Sequence, residues 1–255
     1  MLSKHQIKFL NALKQKKFRE EYQLFIAEGN KIIPELLDSV IKVKQVYVLE
    51  SAVEKLKKKN DVEYITIKQG ELERISFLTT PNEMVAVCEI PQPQLVVPDL
   101  KNKLTLVLDT IKDPGNLGTI IRVADWFGIQ TIVCSSQTAD VYNPKVVQAT
   151  MGSVARVQIH YSDLYSFLSS ARQDLNLPVY GALLEGENIY SHQLPQAAVI
   201  VIGNESRGIS PELMTLLTHK VKIPSFAHFR AVQGDTESLN AAIATAIICS
   251  EFRRT

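Results

Sequence analysis

The chain has 255 residues, of which 45% are hydrophobic and 22% charged, with 28 basic against 27 acidic side chains. This balance excludes a disordered or fibrous protein and leaves an ordinary globular chain of one large or two smaller domains. No stretch reaches the roughly 18 consecutive apolar residues of a membrane span, and MLSKHQIKF lacks the apolar core of a signal peptide, so a cytoplasmic protein without a membrane partner is expected.

Near-neutral net charge conceals a local asymmetry. Lys4, Lys8, Lys14, Lys16, Lys17 and Arg19 crowd the start of the chain against the single acid Glu20. Such a strip either follows a phosphate backbone or is a solvated helix face. The pattern predicts helices over 4–15 and 29–40, and in the second Ile32, Ile33, Leu36, Leu37 and Val40 recur at the spacing of one buried face. Strand QVYVL, helix 51–59, strand EYITI, helix 70–76 and strand MVAVCEI follow, which together predict a small α/β layer domain over 1–90. The stretch IPQPQLVVP carries three prolines without helical period and reads as a stiff connector, giving a linker at 91–98 and a second domain at 99–255.

In that second domain, apolar strands are expected near 104–109, 130–134, 154–159, 178–183, 197–202 and 219–223, separated mostly by helices. Near-continuous Val, Ile and Leu in LTLVL and AAVIVIG suit strands covered on both faces of a mostly parallel sheet. Cys88, Cys134 and Cys249 lie in apolar runs with no C-x-x-C partner and read as buried free thiols, and the five histidines lack metal-ligand spacing, so no metal is expected.

Three strand-to-helix junctions carry the chemistry. The G-x-G-x-x-G turn of ordinary dinucleotide-binding domains is missing. In its place LDTIKDPGNLGTIIRVADWFGI (108–129) holds Asn116, Gly118 and Arg122 in an N-x-G-x-x-x-R pattern, with Asn116 read as a helix cap. Arg122 is expected to emerge near the start of a largely buried helix, where a cation needs an anion: a nucleic-acid phosphate, or Glu205. GNESRGIS (203–210) follows the strongest strand, with Ser210 as N-cap and Pro211 as first helical residue. The third cluster, TESLNAAIATAI (236–247), is read as a helix entered at Thr236, whose opening turn contains Glu237, Ser238, Leu239 and Asn240. Polar Ser238 and Asn240 in a buried-looking helix start want partners.

In order and type these clusters resemble the three motifs of the SpoU (TrmH-like) family of RNA 2′-O-methyltransferases within the SPOUT superfamily. The likeness includes DP before the asparagine and WFG closing the helix. KQKKFREEYQLFIAEGNKIIPELL (14–37) is similar to the substrate-binding domain that many of these enzymes carry ahead of the catalytic one. The resemblance implies a C-terminal SPOUT α/β domain with a deep trefoil knot, preceded by the small α/β substrate-binding domain. It implies S-adenosylmethionine (S-adenosyl-L-methionine) as cofactor, held near Gly203, Ile223 and Leu239 with Leu183, Asn204 and Ser238 close by. It further implies a homodimer whose sites draw on both subunits.

By the same resemblance Arg122 activates the ribose hydroxyl, with Asn116, Glu205 and Asn240 shaping the site. An arginine stays protonated, so stabilising a developing alkoxide or gripping a phosphate is physically easier than acting as a base. The implied substrate is structured RNA, ribosomal ahead of transfer RNA. Alternatives are a tRNA 2′-O-methyltransferase, an inactive RNA-binding protein of the same fold, and a base-nitrogen methyltransferase of the superfamily. The sequence departs from the family's usual length in SFAHFRAVQGDTE (225–237), read as a surface excursion containing His228 and Arg230, and in Ser206, where glycine is common.

Overall fold

The computed structural model describes residues 1–191, 193–226 and 238–254. They form two compact units, one of residues 1–92 with 140–156, the other of residues 93–139 with 157–255.

In the first unit, helix α1 (Lys4–Ala12) starts at Ser3, whose hydroxyl accepts from the Gln6 amide while the Gln6 side chain accepts from the Ser3 amide. This reciprocal cap satisfies two amides that a helix start otherwise leaves bare. The helix ends three residues sooner than the 4–15 expectation, and a second helix, α2 (Lys16–Tyr22), and a strand, β1 (Leu24–Glu28), follow that the pattern did not separate. A five-residue strand with four buried positions offers too short a run for its period to be told from a helix.

Helix α3 (Ile32–Leu37) is shorter than the expected 29–40. Gly29 precedes it at φ 112°, and Val40, past its end, is 94% exposed instead of continuing the buried face. Strand β2 (Val43–Leu49), a 3-10 turn over Glu50–Lys55 where a longer helix was expected, β3 (Glu63–Ile67), helix α4 (Gln69–Ile75) and β4 (Met84–Glu89) complete the unit. The strand order is β1-β4-β2-β3, antiparallel except for β2 beside β3. Leu10, Leu13, Tyr47, Leu72 and Val85 lie in the core between sheet and helices.

The second unit is built on six strands, β5 (Leu104–Leu108), β6 (Thr131–Cys134), β7 (Gln158–Tyr161), β8 (Val179–Asn188), β9 (Ala198–Ile202) and β10 (His219–Lys222), in the order β10-β8-β9-β5-β6-β7. All neighbours are parallel, as the unbroken Val and Ile runs require, and β5, β6 and β9 are buried at every position. Two strands depart from expectation: residues 153–155 form a 3-10 turn before β7, and β8 runs on to Asn188. Helices α5 (Pro114–Trp126), α7 (Leu164–Gln173), the four-residue α8 (Pro211–Met214) and α9 (Ala241–Phe252) cover the sheet, and α5 packs beside α9. Since the strands are parallel, all their carboxyl ends share one edge, where open α/β sheets bind ligands.

Residues 140–156, which lie between β6 and β7 in sequence, fold with the first unit. Their helix α6 (Pro144–Thr150) packs on β1, and the Tyr142 ring sits 4.8 Å from that of Phe25. Arg19, read in the sequence as part of a basic surface strip, is instead 2% exposed. Its Nε and Nη2 donate to Asp140 Oδ2 at 3.1 and 2.5 Å, and its Nη1 donates to the carbonyls of Leu13 and Lys14. Four N–H bonds to fixed acceptors explain how this cation tolerates burial.

A candidate ligand cleft at the carboxyl edge of the parallel sheet

Three strand-end segments of the second unit converge. The first follows β5. Asp113, not Asn116, caps α5: its Oδ1 accepts from the Asn116 amide at 2.8 Å, and Pro114 fills the first helical position. This frees the Asn116 side chain, whose Nδ2 donates to Glu205 Oε1 at 2.8 Å.

The second segment follows β9. Asn204 donates to the Thr110 carbonyl at 2.8 Å and accepts from the amides of Ser206 and Arg207, while its backbone pairs with Gly208. The loop is thereby closed on itself. A Cβ on Gly203 would lie 2.3 Å from Gly208 C and Ile209 N, so no larger residue fits there without moving backbone. Ser210 occupies the N-cap position of α8, as expected, but makes no side-chain cap. Its amide instead donates to Asp109 Oδ2 at 2.7 Å.

The third segment enters α9. Among the described residues the helix begins at Ala241, not at Thr236; Thr236 and Glu237, like His228 and Arg230, lie outside the described residues. Asn240 is the N-cap, its Oδ1 accepting from the amides of Ala242 and Ile243 at 2.9 and 3.3 Å. Its Nδ2 then donates to Asn116 Oδ1 at 2.8 Å. Ser238, Leu239 and Asn240 are exposed, contrary to the buried helix start that the sequence suggested, because they precede the helix.

One further feature shapes the site. Lys220 of β10 pairs with Gly181 of β8, yet the next residue, Val221, pairs with Glu187, so residues 182–186 are surplus to the ladder and bulge from it. Glycines bound this excursion. A Cβ on Gly186 would lie 2.8 Å from the Lys220 carbonyl oxygen, and one on Gly181 2.4 Å from Leu217 Cδ1. The flanking pair Gly181 and Gly186 is the sequence signal for the excursion, of whose residues only Leu183 was expected at the site.

Together these segments surround a cleft of about 540 Å³. Leu183, Gly203, Asn204, Ile223, Ser238 and Leu239, the six candidate cofactor residues, all line it, as does Glu205. Sequence reasoning missed Glu185, Met214 and Lys220, which line it as well. Asn116, Asn240 and Arg122 are not among the described lining residues, although Asn116 donates to Glu205 and Asn240 in turn donates to Asn116. Arg122 is exposed, and its expected pairing with Glu205 is not seen among the described residues: the Glu205 carboxylate takes the amides of Asn116 and, at 3.4 Å, Asn204. On α5 the buried side is formed by Leu117, Ile120, Ile121 and Ala124, which leaves Arg122 facing solvent.

The cleft's walls are largely aliphatic, interrupted by the carboxylates of Glu185 and Glu205 and the cations of Arg207 and Lys220, and its volume lies in the usual range of about 300 to 1,000 Å³ for small-ligand sites. Among the described residues no cluster of His, Cys, Asp or Glu could hold a metal ion, and no helix is long and apolar enough to cross a membrane. A wholly parallel α/β sheet with a cleft built from three strand-end segments defines a ligand-binding α/β protein.

Comparison with known proteins supplies the family. Residues 103–250 match the SpoU rRNA Methylase family and residues 4–86 the MRM3-like substrate binding domain. The chain belongs to the SpoU rRNA methylase family. It is 27% identical over 249 residues, 97% of this chain and 95% of the relative, to the 23S rRNA (guanosine(2553)-2'-O)-methyltransferase RlmP of Bacillus subtilis, so the likeness spans both units. Among solved structures it is similar to a TrmH-family protein from Porphyromonas gingivalis, described as an RNA methyltransferase, at 41% identity and TM-score 0.87, covering 99% of this chain and 98% of that one. It is also similar to the AdoMet-bound rRNA methyltransferase of Sinorhizobium meliloti at 30% identity and TM-score 0.84, covering 99% and 95%.

Proposed function

We propose that the protein is an S-adenosylmethionine-dependent methyltransferase acting on a ribose 2′-hydroxyl of ribosomal RNA. The observation that carries this reading is the hydrogen-bonded chain Asn240–Asn116–Glu205 at the mouth of the cleft, which joins all three family motifs. The 2′-O-methyltransferase activity named for the B. subtilis relative and the AdoMet bound in the S. meliloti structure support the substrate and the cofactor.

The cleft suits the cofactor. Leu183, Ile223, Leu239 and Ile248 offer an apolar bed for an adenine ring, the Gly203 backbone offers hydrogen bonds, and Glu185 and Glu205 offer carboxylates to the cationic end of the ligand. Once bound, S-adenosylmethionine supplies an electrophilic methyl group. The protein's own task is to position the ribose oxygen and stabilise charge as its proton leaves. Asn116, Glu205 and Asn240 are held rigid by one another and orient the sugar. Arg122 brings a guanidinium that stabilises the developing alkoxide or grips the neighbouring phosphate.

We further propose a homodimer. Arg122 does not line the cleft of its own chain, and Trp126, Leu239 and Ile243, at 84, 47 and 52% exposed, lie close to it and to Asn240 in sequence on α5 and at α9. A second copy would cover that apolar surface and let Arg122 serve the neighbouring cleft. We assign RNA substrate binding to residues 1–90 and catalysis to residues 99–255, joined through 91–98, with the α9 segment threaded through a trefoil knot as in the SPOUT fold. The enzyme acts in the cytoplasm, and its three buried, unpaired cysteines accord with a reducing compartment.

The test is ribose-methylation mapping of total RNA from cells with and without the protein, paired with radiolabelled methyl transfer to purified RNA. Loss of one 2′-O-methyl site in ribosomal RNA is expected. A lost tRNA site would redirect the substrate, and no lost site with no transfer would leave an RNA-binding protein.

A further inference from the structure

A second cavity of about 730 Å³ lies at the same edge of the sheet, beyond the ends of β5, β6 and β7, and the methyl-transfer reading leaves it without a role. Its walls include Thr110, Gln137, Tyr161 and Glu212, and it shares Asn204, Arg207 and Gly208 with the cofactor cleft, so the GNESRG loop is a common wall between the two. The sheet order places it beside the β9–β5 step, where the strand succession β5-β6-β7 on one side gives way to β9-β8-β10 on the other. Ligands of open α/β sheets bind at such a reversal.

Its chemistry narrows the ligand. Asp109, Asp163 and Glu212 bring three carboxyl groups to the cavity against the single cation Arg207, which disfavours a phosphate. Asp109 is used up internally, accepting from the Ser210 amide and the Thr110 hydroxyl, and Asp163 caps α7 through Oδ1. The Glu212 carboxylate and the Arg207 guanidinium are exposed, and neither side chain has a hydrogen bond or ion pair among the described residues; only their backbones bond, the Glu212 carbonyl accepting from the Thr215 hydroxyl and the Arg207 amide donating to Asn204. The cavity therefore presents carboxylate acceptors, the Gln137 amide, a guanidinium and a Tyr161 ring that is 42% exposed. Planar stacking surface with mixed donors and acceptors fits a nucleobase. Carboxylates only accept, so a base with amino donors fits better than uracil, and guanine, with N1–H and N2–H side by side, matches Glu212 best.

We infer that this cavity binds a guanine base of the RNA substrate, close to the nucleotide being methylated, and so couples base identity to the shared GNESRG loop. The inference rests on the RNA methyltransferase reading above.

The test uses the full chain saturated with S-adenosylmethionine. Guanosine, adenosine, cytidine and uridine 5′-monophosphates, and the heptanucleotides UUUGUUU and UUUUUUU, are titrated calorimetrically into wild type and into the Gln137→Ala, Glu212→Gln double variant. Guanosine monophosphate and UUUGUUU are expected to bind at least about tenfold tighter than their uridine counterparts, and the double variant to lose that preference while keeping its cofactor affinity. Equal binding of the uridine ligands, an unchanged preference in the double variant, or displacement of the cofactor by the nucleotide would overturn the inference. Binding of the mononucleotide without UUUGUUU would overturn its RNA part. Methyl transfer to ribosomal RNA by the wild type is measured alongside: its failure strikes the methyltransferase reading itself, whereas transfer without guanine preference strikes only this cavity.

Discussion

Asn240 Nδ2 donates to Asn116 Oδ1 at 2.8 Å, joining two side chains 124 residues apart in the sequence. The direction of this bond is forced. Asn240 spends its oxygen on the first amides of α9, which leaves only its NH2 to offer, so Asn116 must present oxygen to it and NH2 to the Glu205 carboxylate. A helix cap at one motif thus sets the polarity of the whole chain of side chains.

Asn240→Asp separates these two duties. Aspartate caps as well as asparagine, so stability in urea should stay within about 0.5 kcal/mol of wild type. The carboxylate cannot donate to Asn116, however, and turnover should collapse. Asn240→Ala should lose turnover and about 1 kcal/mol of stability together. An Asn240→Asp enzyme with normal kcat would show that the Asn240–Asn116 bond is dispensable.

Arg122 is exposed and unpaired among the described residues, so Arg122→Ala should leave folding stability within about 0.5 kcal/mol. If it stabilises charge in the transition state, kcat should fall by about 10²- to 10³-fold while S-adenosylmethionine affinity, read by calorimetry, holds. Equal loss of cofactor affinity would contradict its assigned place outside the cleft.

Gly203→Ala places a methyl group 2.3 Å from the backbone of Gly208 and Ile209. The loop must shift, at a cost of about 1 to 3 kcal/mol. Because the same loop walls the cleft, cofactor affinity should drop with the midpoint of thermal unfolding. Wild-type values for both would mean that the loop yields freely.

Arg19, which is buried, forms an ion pair with the partly buried Asp140 within the first unit. Asp140→Ala strands the guanidinium and should cost about 3 to 5 kcal/mol in denaturant unfolding. The double variant Arg19→Met, Asp140→Leu should recover part of that loss, but not all, since the Leu13 and Lys14 carbonyls lose their donor as well.

Glu28 is buried, and desolvation raises its carboxyl pKa above the ordinary 4.5 despite bonds from the Ser76 hydroxyl and the Phe77 amide. With the folded value above the unfolded one, its contribution is fully present below the unfolded pKa and is lost as pH rises through the folded pKa. Unfolding free energies of wild type and Glu28→Gln, measured across pH 4 to 8, should therefore diverge in favour of the variant as pH increases. A parallel pair of curves would rule this out.

Much of the catalytic unit was legible in the order of residues. Unbroken Val and Ile runs announced strands buried on both faces, the punctuation around DPGNLG and GNESRGIS announced the turns at their ends, and the motif series pointed to the SpoU family, which the match over 103–250 bears out. These features are local: each is written by hydrogen-bonding and packing demands that span a few residues.

Features that depend on distant partners were not legible. Asn116 looked like a cap until Asp113 took that duty and released its side chain to Glu205 and Asn240. Arg19 looked like surface charge until Asp140, 121 residues later, buried it. Arg122 looked like a candidate partner for Glu205, yet the apolar positions of α5 turn it to solvent and Glu205 takes Asn116 and Asn204 instead. The excursion at 182–186 exists only because β10 pairs with β8 in two registers. Composition and pattern determined which segments form strands, turns and helices, since those choices are settled by short-range sterics and hydrophobicity. The family resemblance named Asn116, Glu205 and Asn240 together, but which of their atoms bond, and in which direction, was decided by the tertiary structure alone, since a hydrogen bond selects its partner by proximity in space and carries no mark of it along the chain.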